Sequence, residues 1–369
     1  MYPTLFKFEF LPRPITSYGF MMMLGFLAAI FWAARRAGKD RANPDIILNL
    51  GFVALIFGVF GARLFYFVHY YQRSFAHRPF WSLFYVWEGG LEFYGGMLCA
   101  LVAVAVYLRI KQASIRWYLD IIAPSLMVGL AFGRIGCFLN GCCWGKPTDL
   151  AWAVRFPYGS LPFTSQWHQG QVTVPEELIY VERATGAPRL LNRDLVFDRV
   201  SHEELVKDRQ RAEPRRNDKG EVIRPPRPRL LADIDMQCIG YGLKSVTQLR
   251  DLARQYRSVP IHPVQLYGSL NALLIAGLLL IFFHWRRRHG TVFGMLLVIY
   301  AISRFCLEML RADNPYDQWG GLTISQMTAI YTFMVGVAWL VLMRLLPLRS
   351  PRAVAFVPPP EPSQDTKKD

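Results

Sequence analysis

Long stretches of this chain lack the polar face that a soluble amphipathic helix keeps. Charged residues make up 19% of its 369 residues and hydrophobic residues 53%. The apolar residues are concentrated in runs of roughly 20 residues, the length of a helix that crosses a bilayer core. These runs predict an all-α integral membrane protein with seven transmembrane helices, at about 17–35, 46–70, 92–109, 118–139, 263–284, 291–310 and 323–346. The pattern excludes a soluble helical core.

The beginning of the chain also lacks the marks of a cleavable signal peptide. No basic cluster and no obvious small-residue cleavage site accompany the first apolar run, and Pro12 and Pro14 precede it. We therefore expect the first span to be retained.

Acidic residues are outnumbered by basic ones, 27 against 42, which gives a formal net charge of +15. Much of the basic charge follows spans one, three, five and seven. It resides on Arg35, Arg36, Lys39, Arg41, Arg109, Lys111, Arg116, Arg286, Arg287, Arg288, Arg344, Arg349 and Arg352. Because short loops rich in Lys and Arg stay in the cytoplasm, the N-terminus is predicted outside and the C-terminus inside. The excess of basic residues is then explained by the positive-inside pattern of a protein whose partner is the lipid bilayer. Nucleic-acid binding is therefore not predicted.

The predicted organisation has four parts: spans one to four in 1–139, an extracytoplasmic insertion at 140–261, spans five to seven in 262–346 and a disordered cytoplasmic tail at 347–369. Within the insertion, 201–230 is charged and rich in proline, which favours disorder. Apolar residues at helical spacing predict a short helix at 244–257. No internal repeat is visible, which argues against a transporter built from two related halves.

The densest polar motif is GRIGCFLNGCCWGKPT at 133–148, toward the outer end of span four. Arg134 lies in an apolar stretch, where a charge is costly and marks a functional or paired residue. The glycines allow a turn that frees backbone N–H groups, and these donors together with Arg134 suit a phosphate group. The structural alternative is an arginine that extends to the membrane surface beside glycines used for packing.

A second charged cluster closes span six. Arg304, Glu308 and Arg311 are spaced at i, i+4 and i+7, so they are predicted to share one helix face, with Glu308 paired to both arginines. A purely structural ion pair inside the membrane is the alternative.

Two tyrosines lie beside glycines at the starts of spans. Tyr94 precedes Gly95 and Gly96, and paired glycines there suggest tightly packed backbone near a cavity. Tyr18 precedes Gly19 in span one. The alternative for both tyrosines is an ordinary aromatic residue at the membrane surface.

Cys137, Cys142 and Cys143 do not form a CxxC pair, and structural zinc sites take four ligands in familiar spacings. Cys238 or His262 could complete a site, but nothing in the sequence requires one, so no metal is predicted. An extracytoplasmic location permits disulfides, whose pairing the spacing does not reveal.

Taken together, seven segments resemble the bacterial prolipoprotein diacylglyceryl transferases. In chain order they are Ser17-Tyr18-Gly19, Gly61-Ala62-Arg63, VWEGG with FYGG at 86–96, GRIG, LNG and WGKPT within 133–148, HPVQLY at 262–267, RFCLEMLR at 304–311 and LTISQ at 322–326. The resemblance runs from about residue 5 to residue 346 and omits much of the insertion.

The resemblance implies a multi-pass protein of the bacterial cytoplasmic membrane. It also implies transfer of the diacylglyceryl group of phosphatidylglycerol to the lipobox cysteine of prolipoproteins, with release of glycerol 1-phosphate and no cofactor. The catalytic residues it implies are Arg134, Arg304, Tyr18 and Tyr94. The substrate-binding residues are Arg134, Asn140, Gly141, Gly95, Gly96, Arg63, Glu308, Arg311, His262 and Gln265.

The chain departs from the family pattern in three ways. Tyr94 stands where some members carry His, and Cys137 and Cys142 stand where members with GRIGNF and NGE motifs have Asn and Glu. Cysteine-bearing variants with GRIGCF and GCC also look like family members. The outer loop is also longer than usual. A related transferase with another thiol or lipid substrate therefore stays open, as does a non-catalytic lipid-binding or transport protein, with Cys142 and Cys143 as a redox sensor.

Overall fold

The computed structural model describes residues 4–6, 15–75, 79–86, 89–181, 188–191, 215–216, 222–223, 246–314 and 321–357. The chain divides into two compact units. The helical unit comprises Gly19–Gly136, Tyr267–Met309 and Tyr316–Asp369. The loop unit comprises Met1–Tyr18, Cys137–Leu266 and Leu310–Pro315.

The described α-helices are α1 (Ser17–Lys39), α2 (Pro44–His69), α3 (Phe93–Ile110), α4 (Ile115–Asn140), α5 (Leu161–His168), α6 (Val246–Gln255), α7 (Val264–Trp285), α8 (Thr291–Glu308) and α9 (Ile324–Leu345). A π-helical turn lies at Tyr71–Phe75, and 3₁₀ turns lie at Phe80–Phe84 and Glu176–Leu178. Short strands pair antiparallel: β1 (Thr4–Phe6) with β2 (Ile15–Thr16), β3 (Ile179–Val181) with β4 (Pro188–Leu190), and β5 (Arg215–Arg216) with β6 (Val222–Ile223).

Within the described residues, seven helices are long and apolar enough to cross a membrane, namely α1 to α4 and α7 to α9. Each coincides with one predicted span, and the ends differ by four residues at most. Their surfaces carry large apolar side chains: Phe31, Phe52 and Leu274 are 69%, 66% and 65% exposed. Such continuous apolar surface suits contact with lipid chains. The prediction of seven spans is confirmed.

Helices α2 and α3 approach closely because glycines face the opposite helix. A Cβ atom on Gly61 would lie 2.4 Å from the Cβ atom of Cys99, and one on Gly96 would lie 2.8 Å from the carbonyl oxygen of Gly58. Those distances exclude any side chain, and small residues are what allow membrane helices to pack at backbone distance. The contact holds the start of α3 against the second half of α2.

Asp120 in α4 is a buried carboxylate that fixes the start of α8. Its oxygens accept hydrogen bonds from the backbone N–H groups of Gly290 (2.7 Å) and Phe293 (3.0 Å). Arg286, directly after α7, lies 3.8 Å from the same carboxylate. A carboxylate at a helix N-terminus satisfies free N–H groups and interacts favourably with the helix dipole.

The loop unit has a small core of its own, which consists of Tyr158, Phe163, Leu178, Leu191 and Ala253. The Tyr158 hydroxyl donates hydrogen bonds to the carbonyl oxygens of Leu178 (3.0 Å) and Leu191 (3.2 Å). Burying a tyrosine is favourable when its hydroxyl finds such partners. The burial of the ring raises the pKa of Tyr158 above its ordinary value.

Two further predictions concern this unit. The short helix predicted at 244–257 is confirmed as α6. In the segment 201–230 the described residues are β5 and β6, and the rest of that predicted disordered stretch lies outside the described residues. Of the predicted tail, 347–357 is described and contains neither helix nor strand beyond the end of α9. The extracytoplasmic placement of 140–261 stays a prediction.

Candidate functional site

The helical unit holds a charged pair at the end of α8. Arg304 Nη1 lies 2.6 Å from Glu308 Oε2, four residues further along the helix. The Glu308 side chain is fully buried and that of Arg304 is 16% exposed. A buried carboxylate with a guanidinium partner stays charged at moderate cost, because each group offsets the desolvation of the other.

The start of α9 completes this pair. Arg304 Nη2 donates a hydrogen bond to Ser325 Oγ (2.8 Å), and the Thr323 hydroxyl donates one to Glu308 Oε1 (3.3 Å). Thr323 also caps α9 in a capping box with Gln326. The LTISQ motif, noted in the sequence only as part of a resemblance, therefore supplies the hydroxyls that orient the pair.

The prediction that Arg311 shares a helix face with Arg304 and Glu308 is wrong. Helix α8 ends at Glu308, and the chain turns before Arg311. Arg311 belongs to the loop unit, where its Nε and Nη2 atoms each lie 2.8 Å from a carboxylate oxygen of Asp313. The helical spacing had assumed that α8 continues to residue 310, whereas the backbone of 310–312 pairs with residues 144–146.

Arg134 lies near the end of α4, half-buried, and makes no hydrogen bond or ion pair with any other residue of the described ranges. Its side chain runs past Gly268 of α7. A Cβ atom on Gly268 would lie 3.3 Å from Arg134 Cδ and 3.5 Å from Nε. Gly268 thus makes room for the arginine, a role that the sequence motifs did not indicate.

Substituting Gly268 with alanine is expected to lower activity while the protein stays folded. The new methyl group would be tighter against Arg134 than ordinary contacts, so the guanidinium must shift by a few tenths of an ångström. Misplacement of a positioned group by about 1 Å can cost about 100-fold in rate, so a smaller shift is expected to give a smaller loss. Gly277→Ala is the matched control, because a Cβ atom there meets nothing within 4 Å. Equal activity of the two variants would contradict the role of Gly268.

Arg63 is 2% exposed and its guanidinium is taken up by backbone oxygens. It donates hydrogen bonds to the carbonyl oxygens of Leu83 (3.1 Å), Ser82 (2.9 Å), Gly90 (3.3 Å) and Gly89. A residue with this geometry positions the segment that leads into α3. We therefore propose that Arg63 acts on substrate only through that segment.

Tyr94 lies in the first turn of α3 and is 49% exposed, whereas Gly95 and Gly96 are buried against α2. Just before them, Glu92 Oε1 lies 2.6 Å from Nδ1 of His69, the last residue of α2. The glycines serve close packing, and the contact between His69 and Glu92 joins the ends of the two helices. Sequence reasoning missed this pair because its members are 23 residues apart and belong to no shared motif.

In the loop unit, Gly141 ends α4 with a Schellman motif. The N–H of Cys142 donates to the carbonyl of Cys137 (3.1 Å), and that of Gly141 donates to the carbonyl of Phe138 (3.2 Å). Gly141 has φ of +78°, the left-handed region that this cap needs. Asn140, the last residue of α4, directly precedes the cap.

Two further predicted residues flank the turn after α4. Gln265 is 1% exposed, and its Nε2 donates a hydrogen bond to the carbonyl of Cys142 (2.9 Å). Its Oε1 is buried and finds no partner among the described residues. His262 donates its backbone N–H to the carbonyl of Lys146 (3.0 Å). Tyr18, also in this unit, lies in the first turn of α1 and is 40% exposed.

These features define a multi-pass membrane protein with two arginines near the ends of apolar helices. Arg304 is paired with Glu308, whereas Arg134 lacks a counter-charge in the described part of the chain. The model of the prolipoprotein diacylglyceryl transferase family matches residues 3–342. The chain belongs to that family, whose members reside in the bacterial cytoplasmic membrane.

Curated relatives agree with this assignment. A phosphatidylglycerol--prolipoprotein diacylglyceryl transferase of Proteus mirabilis is 27% identical over 339 residues, which cover 89% of this chain and 88% of that protein. One of Clostridium tetani is 25% identical over 91% of this chain and 96% of that protein. One of Methylococcus capsulatus is 40% identical over 159 residues, which cover 42% of this chain and 60% of that protein.

Proposed function

We propose that this protein transfers the diacylglyceryl group of phosphatidylglycerol to the lipobox cysteine of prolipoproteins. The observation that carries the proposal is Arg134, a guanidinium in an apolar helix with no counter-charge among the described residues. A charge in that position requires an anionic partner. A phospholipid phosphate supplies one, and family membership supplies the reaction.

The reaction replaces a carbon–oxygen bond with a carbon–sulfur bond. The acceptor thiol loses its proton, and the sulfur attacks the glyceryl carbon that carries the phosphate. The bond from that carbon to the phosphate oxygen breaks, and glycerol 1-phosphate leaves with both bonding electrons. The nucleophile belongs to the peptide, so the protein must hold the lipid, orient the thiol and stabilise the departing phosphate.

Arg134 and Arg304 suit the phosphate tasks. The leaving phosphate gains one negative charge as the carbon–oxygen bond breaks, and a preorganised guanidinium stabilises that charge most in the transition state. Glu308, Thr323 and Ser325 hold Arg304 in place. Arginine offers planar donors that match phosphate oxygens.

The loop unit suits the peptide. The buried Oε1 of Gln265 finds no donor among the described residues, which leaves one unsatisfied acceptor in the turn after α4. The Gln265 amide is held by the carbonyl of Cys142, so this acceptor is fixed in orientation. We assign the region around the lipobox to Gln265 and His262, with Tyr18 and Tyr94 orienting the lipid headgroup.

We infer from the positive-inside pattern that these residues lie toward the outer side of the membrane. Arg134 and Arg304 lie near the ends of spans four and six, and Tyr18 and Tyr94 lie at the starts of spans one and three. With the N-terminus outside, all four positions are toward the outer leaflet. Lipid and an emerging secreted precursor both reach that side.

Complementation tests the proposal in cells. Expression of this chain in a bacterium depleted of its own transferase is expected to restore growth and lipoprotein maturation. The Arg134→Ala variant, inserted at the same level, is expected to restore neither. A wild-type chain that inserts fully but leaves prolipoproteins unmodified would contradict the proposed activity.

A further inference from the structure

The thiols of Cys137, Cys142 and Cys143 converge at the end of α4. Their sulfur atoms all lie within 4.8 Å of one another, and none of the three is joined in a disulfide bond within the described residues. Cys137 is 8% exposed, while Cys142 and Cys143 are half-buried. Spacing alone predicted no metal here, because i, i+5 and i+6 is not a familiar zinc pattern.

The backbone brings the three thiols together. The Schellman cap places Cys142 over the last turn of α4, where its Sγ lies 3.7 Å from the carbonyl oxygen of Cys137. Cys143 follows with φ of +60°, a left-handed conformation that residues other than glycine rarely adopt. Gln265 fixes this turn through its hydrogen bond to the Cys142 carbonyl. Backbone held in a rare conformation is found most often at functional sites.

We propose that these three cysteines bind one zinc ion as thiolates and leave its fourth position to the thiol of the acceptor peptide. The role rests on the transferase activity proposed above. With zinc–sulfur bonds of about 2.3 Å, tetrahedral geometry puts sulfurs about 3.8 Å apart. The distances between the sulfur atoms, which are at most 4.8 Å, therefore need to shorten by up to about 1 Å when zinc binds.

An open fourth position is the feature that separates catalytic from structural zinc. Among the described residues, no further His, Cys, Asp or Glu offers a ligand atom to this cluster. Arg134, the proposed phosphate ligand, precedes Cys137 by three residues in α4.

The chemistry balances without an oxidant or a reductant. The acceptor thiol loses its proton to solvent when the sulfur binds zinc, because a coordinated thiol is deprotonated outright. The sulfur then attacks the glyceryl carbon, and the carbon–oxygen bond to phosphate breaks. The thioether formed is neutral and binds zinc weakly, which frees the fourth position.

Cobalt substitution tests the metal site without turnover. The purified full chain, loaded with Co²⁺, is expected to show a sulfur-to-cobalt charge-transfer band. The band should grow when a lipobox peptide is added, and it should not respond to the same peptide with Ser in place of Cys. Absence of the band, or equal responses to both peptides, would overturn the proposal. A band that is lost in Cys238→Ser would also overturn it, because the site would then be a closed four-cysteine site.

Activity measurements test the role. Removing zinc, or the Cys142→Ser change, is expected to lower transfer by about 100-fold at pH 6.5, because a free thiol with pKa about 8.5 is about 1% ionised there. Added zinc should restore only the wild-type chain. Cys306→Ser, on an exposed thiol outside the cluster, is the matched control and should keep full activity and metal content. Full activity in metal-free protein, with loss in His69→Ala, would assign thiol activation to the His69–Glu92 pair instead.

The two kinds of measurement separate failures. A metal-loaded chain that binds the peptide thiol but transfers no lipid contradicts the proposed function alone. A chain that transfers lipid at the full rate without metal contradicts the zinc site alone.

Discussion

Replacing Arg134 with alanine is expected to lower the rate of lipid transfer by about 10²- to 10³-fold, the usual effect of removing one preorganised donor to a developing anion. The guanidinium has no counter-charge among the described residues, so its loss leaves no other described charge unpaired. Folding should therefore be little affected. Initial rates with phosphatidylglycerol and a lipobox peptide, set beside thermal unfolding in detergent, measure both effects.

Arg134→Lys sharpens this prediction. Lysine keeps the charge but loses the planar pair of donors, so an intermediate rate is expected. Arg109→Ala is the control and should leave the rate unchanged. Arg109 is exposed and lies in the last turn of α3, at the opposite end of that helix from Tyr94. An Arg134→Ala variant that keeps more than about a tenth of the rate would remove Arg134 from the transition state, since that loss is below the effect of a typical donor.

Replacing Glu308 with alanine is expected to lower the free energy of unfolding by about 3–5 kcal/mol, because it leaves Arg304 buried without its carboxylate. The Glu308 side chain is fully buried and holds both Arg304 and Thr323. Transfer should fall as well, since the guanidinium loses its orientation. Reversible chemical unfolding in mixed micelles and the transfer assay report the two losses separately.

A double substitution distinguishes packing from catalysis. Arg304→Leu with Glu308→Leu removes both charges, and replacing a buried ion pair by apolar side chains is often neutral for stability. We expect stability near that of the wild type together with loss of transfer. Recovered activity in the double variant would show that Arg304 serves the fold and not the reaction.

The seven spans could be predicted from the sequence because each apolar run is long enough to specify a helix by itself. The pairing of Arg304 with Glu308 also followed from local spacing, since both residues lie in one helix. The same rule of helical spacing gave a wrong prediction for Arg311. Helix α8 ends two residues earlier than its predicted span, because the backbone after Glu308 pairs with residues 144–146.

The sequence patterns did not predict contacts between segments that are far apart along the chain. Gly268 makes room for Arg134 from another helix, and His69 meets Glu92 across a loop. The three thiols converge only because the Schellman cap and the left-handed Cys143 reverse the chain. Each of these depends on how elements pack or turn, which spacing along one segment does not specify.

The most direct measurement is made with the purified chain in lipid nanodiscs. With phosphatidylglycerol present, a lipobox peptide is expected to gain the mass of one diacylglyceryl group on its cysteine, and one glycerol 1-phosphate is released for each peptide modified. A peptide with Ser in place of Cys, and nanodiscs that contain only phosphatidylethanolamine, should give no product. Folded, zinc-loaded protein that yields neither the mass gain nor glycerol 1-phosphate would contradict the account.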